Sequence, residues 1–171
     1  LSATSPIRAM QVIGPANEVL YLTRLPPAGP EQGGPVRRPA ETFVDRTFIV
    51  ILSGPDMSAL RNFWQTVFEL SVSEPIMARM TVLNKAMGLD IDTTHPLAIT
   101  RLTEDFSIEL DQYPSQATPR PVRDGELPPA LAIVSVEVDS LSDYEDRFLA
   151  DPITIQASPY NGRRVVFIKG A

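Results

Sequence analysis

Residues 48–75, FIVILSGPDMSALRNFWQTVFELSVSEP, constrain the fold of this chain more than any other stretch. Phe48, Ile49, Val50, Ile51 and Leu52 form an unbroken apolar run of β-branched and aromatic residues, the mark of a strand covered on both faces or facing a dry cavity. Ser53, Gly54 and Pro55 end it. Ser53 and Asp56 can both accept hydrogen bonds from free N–H groups at a helix start, and Pro55 suits a first turn. Met57, Leu60, Phe63, Trp64, Val67 and Phe68 then recur at helical spacing and predict one apolar stripe laid on a sheet. A return strand is expected at 71–73, ended by Pro75.

At 171 residues the chain can bury one good core, or two small ones sharing an interface. No apolar run reaches the ~20 residues of a membrane span, so no membrane partner is expected. Residues 1–5 lack the charged and apolar regions of a signal peptide, and the chain starts without Met, which predicts a processed chain or a fragment. Cysteine is absent, which excludes disulfides and thiolate chemistry and points to a cytoplasmic setting. The net charge of −6 argues against nucleic acid as the main partner, because phosphate neutralisation needs clustered Lys and Arg. Arg37-Arg38 and Arg163-Arg164 are isolated pairs, read as solvated surface charge.

The N-terminal region, 1–25, predicts a hairpin of strands at 7–12 and 19–22 around a Gly14-Pro15-Ala16-Asn17 turn. Residues 26–42 are rich in Pro and Gly and predict a linker. After Pro75, Met80, Leu83 and Met87 have helical spacing and Gly88 marks a stop, so a short core helix is expected. Strands at 96–102 and 106–113 should form a hairpin. In the second, Phe106, Ile108 and Leu110 point one way and Ser107, Glu109 and Asp111 the other.

A second Pro-rich linker is expected at 115–129. The run 131–138 predicts a strand with Ala132, Val134, Val136 and Val138 on one face and Leu131, Ile133, Ser135 and Glu137 on the other. Leu141, Tyr144, Phe148 and Leu149 predict a short amphipathic helix opened by a Ser142–Glu145 capping box. Strands at 153–156 and 163–169 close the chain, with Asn161-Gly162 as the turn between them. The order β-α-β-β-β thus occurs in full at 43–114 and again, lacking its last strand, at 130–171. Repeats of one supersecondary unit imply repeated architecture. The N-terminal hairpin would supply the missing strands, in this chain or in a neighbouring copy.

This plan resembles the vicinal oxygen chelate superfamily, which includes glyoxalase I, bleomycin-resistance proteins and extradiol dioxygenases. Asp56-Met57-Ser58-Ala59-Leu60-Arg61-Asn62-Phe63-Trp64 resembles the family's helix start. Phe106 to Pro114, FSIELDQYP, resembles its closing strand with a carboxylate, and Ala130 to Leu141, ALAIVSVEVDSL, the opening strand of a following module. The resemblance implies an α+β fold of paired β-α-β-β-β modules, forming a curved, half-open mixed sheet with helices outside. It also implies a small-molecule ligand in the sheet cavity and a homo-oligomer, a dimer.

The family's metalloenzymes chelate two adjacent substrate oxygens with a divalent ion, which stabilises the negative charge that develops there. By resemblance the opening-strand ligand positions fall at Ile49 and Ile133, which cannot bind an ion. The N-terminal hairpin's position falls near Tyr21, not an ordinary ligand. Glu109 alone fits a metal position. No metal or other cofactor is therefore expected at this module pair. The expected activity is binding or metal-free transformation of a small hydrophobic or aromatic molecule, with Ile49, Ile51, Ser107, Ile133 and Ser135 as ligand contacts. Glu109 and Glu137 are the candidate catalytic pair for acid–base work. Glu109 has two readings, a remnant ligand or base whose pKa burial would raise, and a solvated carboxylate. The alternative is a metal-dependent glyoxalase (a lyase) or extradiol dioxygenase using iron, manganese, nickel or zinc, with its site in missing modules or completed by a partner. His95, the single histidine, precedes Pro96 after Asp92-Thr93-Thr94 and reads as a solvated turn residue. Trp64, Tyr113 and Phe167 read as packing residues.

Overall fold

The structure, a computed structural model, describes residues 8–16, 18–24 and 40–171. It is a mixed α+β fold with few helices and an open four-stranded sheet. The N-terminal hairpin pairs β1 (Arg8–Ile13) with β2 (Val19–Arg24). The four-stranded sheet is built from β3 (Ile49–Gly54), β4 (Ile76–Arg79), β5 (Thr94–Arg101) and β6 (Ser107–Gln112), in the order β3-β6-β5-β4. β3 and β6 are parallel, and the other pairs are antiparallel. Helices α1 (Met57–Val67) and α2 (Thr81–Ala86) lie between β3 and β5 in sequence. A 3-10 helix (Leu141–Arg147) and the ribbon of β7 (Ile153–Ile155) and β8 (Arg163–Val165) follow.

α1 forms for the reasons its sequence contains. Asp56 is the N-cap, its Oδ1 accepting from the Ser58 and Ala59 amides at 2.8 and 3.2 Å. Met57, Leu60, Trp64 and Val67 are buried along one stripe, and Phe63 and Phe68 are half-buried beside them. The stripe meets Ala98 of β5 and Ile108 and Leu110 of β6, all fully buried. Trp64 and Phe68 stack at 5.0 Å, and Phe63 meets both edge-on. Gly54 lets the helix approach the sheet: a Cβ there would stand 3.2 Å from Leu60 Cδ2. The helix start is tied to β6 by the Met57 amide, which donates to Gln112 Oε1 at 3.1 Å.

The return strand differs from expectation. At 71–73 there is a single bridge, Val72 with Thr100, and the ladder forms beyond Pro75 as β4; the short helix expected from Met80, Leu83 and Met87 follows it as α2. Pro75 has no N–H to give a ladder, so pairing breaks at this sheet edge. Pairing resumes one residue out of register, since Val72 faces Thr100 whereas Ile76 faces Leu97. The slip has a consequence for the site. Val72 is in the core, but Ile76, four residues on, turns to the opposite face and is 63% exposed.

The largest correction concerns 131–138, where no strand forms. The segment is extended, and its burial alternates as expected: Ala132, Val134, Val136 and Val138 are half-buried, and Leu131, Ile133, Ser135 and Glu137 are exposed. It makes no strand ladder. Val136 packs on the α1 core, and Tyr144 meets Phe68 at 5.5 Å, which attaches the C-terminal region. The 3-10 helix is capped by Ser140, not by a Ser142–Glu145 box: Ser140 Oγ accepts from the Ser142 amide at 3.2 Å. Asn161 and Gly162 both have positive φ, as the turn between β7 and β8 requires. The N-terminal hairpin forms its own two-stranded sheet and does not join the larger ladder. Its loop is held by the Ala130 amide, which donates to the Ala16 carbonyl at 2.8 Å. Up to residue 39 the linker expected at 26–42 lies outside the described residues, and 115–129 holds no helix or strand.

Candidate functional site

The alternation of β6 divides the four-stranded sheet into two chemically different faces. Ile108 and Leu110 point to α1 and are sealed in the core. Ser107, Glu109 and Asp111 therefore occupy the far face. Register extends that face across three strands. Ser107 is aligned with Ile49 of β3 and Arg101 of β5, Glu109 with Ile51 and Ile99, and Asp111 with Ser53 and Leu97. The far face is thus a row of carboxyl groups between branched apolar side chains.

Glu109 and Asp111 act as one unit. They are two residues apart on the same side of the strand, and neither is fully solvated. Burial raises the pKa of Asp111, then the charge of Glu109 and a hydrogen bond to it raise it further, to about 7. Burial also raises Glu109, and the hydrogen bond from Asp111 opposes that rise. Below about pH 7 Asp111 holds a proton that it can donate to Glu109, because two neighbouring carboxylates cannot both ionise without repulsion. Asp111 Oδ1 is buried and has no hydrogen-bond partner among the described residues. Tyr21 of β2 lies within electrostatic reach of the pair. Its hydroxyl pKa is raised by burial and by the charges of Asp111 and Glu109, against a hydrogen bond to Gln11, its cross-strand partner. The N-terminal hairpin thus contributes a phenol to the carboxyl pair without joining its sheet.

Beside the pair, toward the β4 edge, lies a cleft of about 740 Å³. Ile76, Leu97 and Ile99 form its apolar wall, and Ser71, Ser73, Glu74 and Arg101 its polar margin. Leu97 and Ile99 are the direct cross-strand neighbours of Asp111 and Glu109, so cleft and carboxyl pair share one surface. The edge is fixed by Ser73, whose amide donates to the Ile99 carbonyl at 2.9 Å and whose Oγ accepts from the Ile99 amide at 3.0 Å.

Of the residues expected at a site, the structure brings Ile49, Ile51, Ser107 and Glu109 together on the far face. Ile133, Ser135 and Glu137 lie on the exposed side of the unpaired segment. Ser135 Oγ is 2.7 Å from the Tyr160 hydroxyl, and Glu137 pairs with Arg163 at 3.3 Å. The acid that partners Glu109 is Asp111, not Glu137. The i, i+2 spacing of Glu109 and Asp111 on one strand face was the available signal for it. Arg101 carries no local sequence signal, since strand register brings it to the site, whereas Tyr21 stands at the hairpin position the resemblance picked out, as a phenol and not as a metal ligand.

His95 is a second correction. It is buried at 5% exposure in β5, with Nε2 2.6 Å from Asn84 Oδ1. Asn84 is fully buried, and its Nδ2 donates to the carbonyls of Ile91 and Thr93 at 3.1 and 2.8 Å. Both amide hydrogens are thereby used, so oxygen faces the imidazole and Nε2 carries the proton. The pair ties α2 to the start of β5. Trp64 is core, whereas Tyr113 and Phe167 are 39% and 40% exposed.

No group of three or more His, Cys, Asp or Glu that could hold a metal ion occurs among the described residues. Glu109 and Asp111 supply two carboxyl groups that share a proton, with Ile49 and Ile51 alongside. No described helix is long and apolar enough to cross a membrane. No family model, curated protein or solved structure matches the chain.

Proposed function

We propose that this protein binds a small, largely apolar organic molecule on the far face of the four-stranded sheet, with Asp111 as hydrogen-bond donor and Glu109 as carboxylate. The observation that carries this reading is the proton-sharing pair, set in register between Ile51 on one side and Ile99 and Leu97 on the other. A protonated acid on an apolar surface gives a directed donor to a ligand carbonyl or hydroxyl. The adjacent carboxylate can accept a proton from the same ligand. The buried, unpartnered Asp111 Oδ1 offers a further acceptor. The pair can therefore move a proton between two adjacent ligand positions without a metal.

The same face supports a divergent member of the vicinal oxygen chelate superfamily. In its favour are a strand, a helix and three further strands over 49–112, with α2 inserted between the second and third strands, and an opening strand parallel to the closing one. The unpaired segment 131–138 would be the opening strand of a second, incomplete module. On this reading the family's metal position at Glu109 has become one half of an acid pair.

The test is a screen of small aromatic carbonyl and hydroxyl compounds by thermal shift, followed by two-dimensional NMR. Binding should perturb amides of β3, β5 and β6. A compound present at about 100 times its Kd adds about 2.7 kcal/mol of stability. Affinity for a carbonyl ligand should fall as pH rises through about 7, when Asp111 loses the proton it donates. Asp111→Asn should remove that pH dependence. Perturbations confined to 131–138, or an affinity flat from pH 5 to 9, would overturn the assignment.

A further inference from the structure

We infer that the cleft beside the acid pair selects a ligand bearing a carboxylate, a small apolar organic acid held by Arg101. The inference rests on the proposed binding function and names its substrate class. The cleft wall of Ile76, Leu97 and Ile99 is apolar and solvent-facing, with Ile76 63% and Ile99 38% exposed. Ile76 is there because of the register slip at Glu74–Pro75, which turns it away from the core. Two full charges stand at the cleft margin, Glu74 and Arg101. Glu74 is already neutralised by Arg61, whose Nη2 is 2.6 Å from its Oε1. Arg101 has no carboxylate within ion-pair distance among the described residues. Among the residues lining the cleft the unpaired charge is therefore one guanidinium, with the Glu109 carboxyl group diagonal to it on the adjacent strand.

Its position sets the length of the ligand. Arg101, Ile99 and Leu97 follow one another on the same side of β5, so the guanidinium root lies about 7 Å from Ile99 and about 13 Å from Leu97. A ligand anchored by its carboxylate at Arg101 lays its body over Ile99 and Leu97, the cross-strand neighbours of Glu109 and Asp111. Its far end then lies beside the donor proton of Asp111. A planar guanidinium matches a carboxylate in two parallel hydrogen bonds, and the volume suits a molecule of one or two rings.

The experiment compares 3-phenylpropanoate with its uncharged amide, 3-phenylpropanamide, by NMR titration of the whole chain at pH 6. The same titrations are run on Arg101→Gln, with dispersion of the amide spectrum confirming its fold. The acid should bind roughly five-fold more tightly than the amide, the size of an exposed ion pair. Raising salt to 0.5 M should shrink the difference, and Arg101→Gln should abolish it. Equal binding of acid and amide, unchanged in Arg101→Gln, would overturn the inference and leave the binding face itself intact. Failure of both compounds to shift any β5 or β6 amide would overturn the inference and the proposed function together.

Discussion

Asp111→Asn should make the protein more stable in mild base, and the size of the effect follows from the acid pair. Asp111 titrates near 7 in the folded protein against an ordinary value of 3.8. A carboxyl group raised on folding binds its proton more tightly in the native than in the unfolded chain. Its stabilising contribution is fully present below 3.8 and is lost as pH rises through about 7. At 1.36 kcal/mol per pH unit that span bounds the loss at roughly 4 kcal/mol. Asp111 is partly open to solvent, which screens the Glu109 charge, so about 2 kcal/mol is expected. Asparagine keeps the shape and an N–H to give Glu109, but it cannot ionise. Urea unfolding at pH 5 and pH 8.5 reads the difference. At pH 5 wild type and variant should agree within about 1 kcal/mol, and at pH 8.5 the variant should be about 2 kcal/mol more stable. The same difference at both pH values, or a variant less stable at pH 8.5, would refute a shared proton at this pair.

Two further perturbations test the supports of the site. Asn84→Ala strands the carbonyls of Ile91 and Thr93 and the His95 Nε2–H, all in or beside a buried position, and should cost about 3 kcal/mol in urea unfolding. A loss under 1 kcal/mol would place His95 in solvent after all. Asp56→Ala removes the cap from the first turn of α1 and should cost about 1 kcal/mol, with Asp56→Asn recovering most of it.

The parts of this fold visible in the sequence are those where one segment holds the whole cause. α1 is such a case: its cap and its stripe lie within twelve residues, 56–67, so spacing alone finds the start and the buried face. β6 is another, since alternation assigns Ile108 and Leu110 to the core and Glu109 and Asp111 to the far face. What stayed hidden depends on partners distant in sequence. His95 stands before a proline after polar residues and imitates a turn, but Asn84, eleven residues earlier, gives its ring a buried acceptor. The spacing of Met80, Leu83 and Met87 finds α2, but nothing local marks the edge strand just before it. Only pairing with β5 fixes residues 76–79 as extended.

The segment 131–138 shows what alternation does and does not specify. Its burial pattern came out as its sequence predicts, down to the face of every residue, yet it has no ladder. Period-two alternation records a half-buried extended chain, and extended chain becomes a strand only when a neighbour supplies donors and acceptors in register. β6 and 131–138 alternate equally well. β6 lies between β3 and β5, so its register delivers Glu109 and Asp111 to a shared surface. Glu137 sits on a chain without ladder neighbours and meets only what its side chain reaches, the guanidinium of Arg163. Alternation along β6 therefore made the acid pair, strand pairing gave it a shared apolar surface, and the carboxyl groups to compare in any such sheet are those two apart on one central strand.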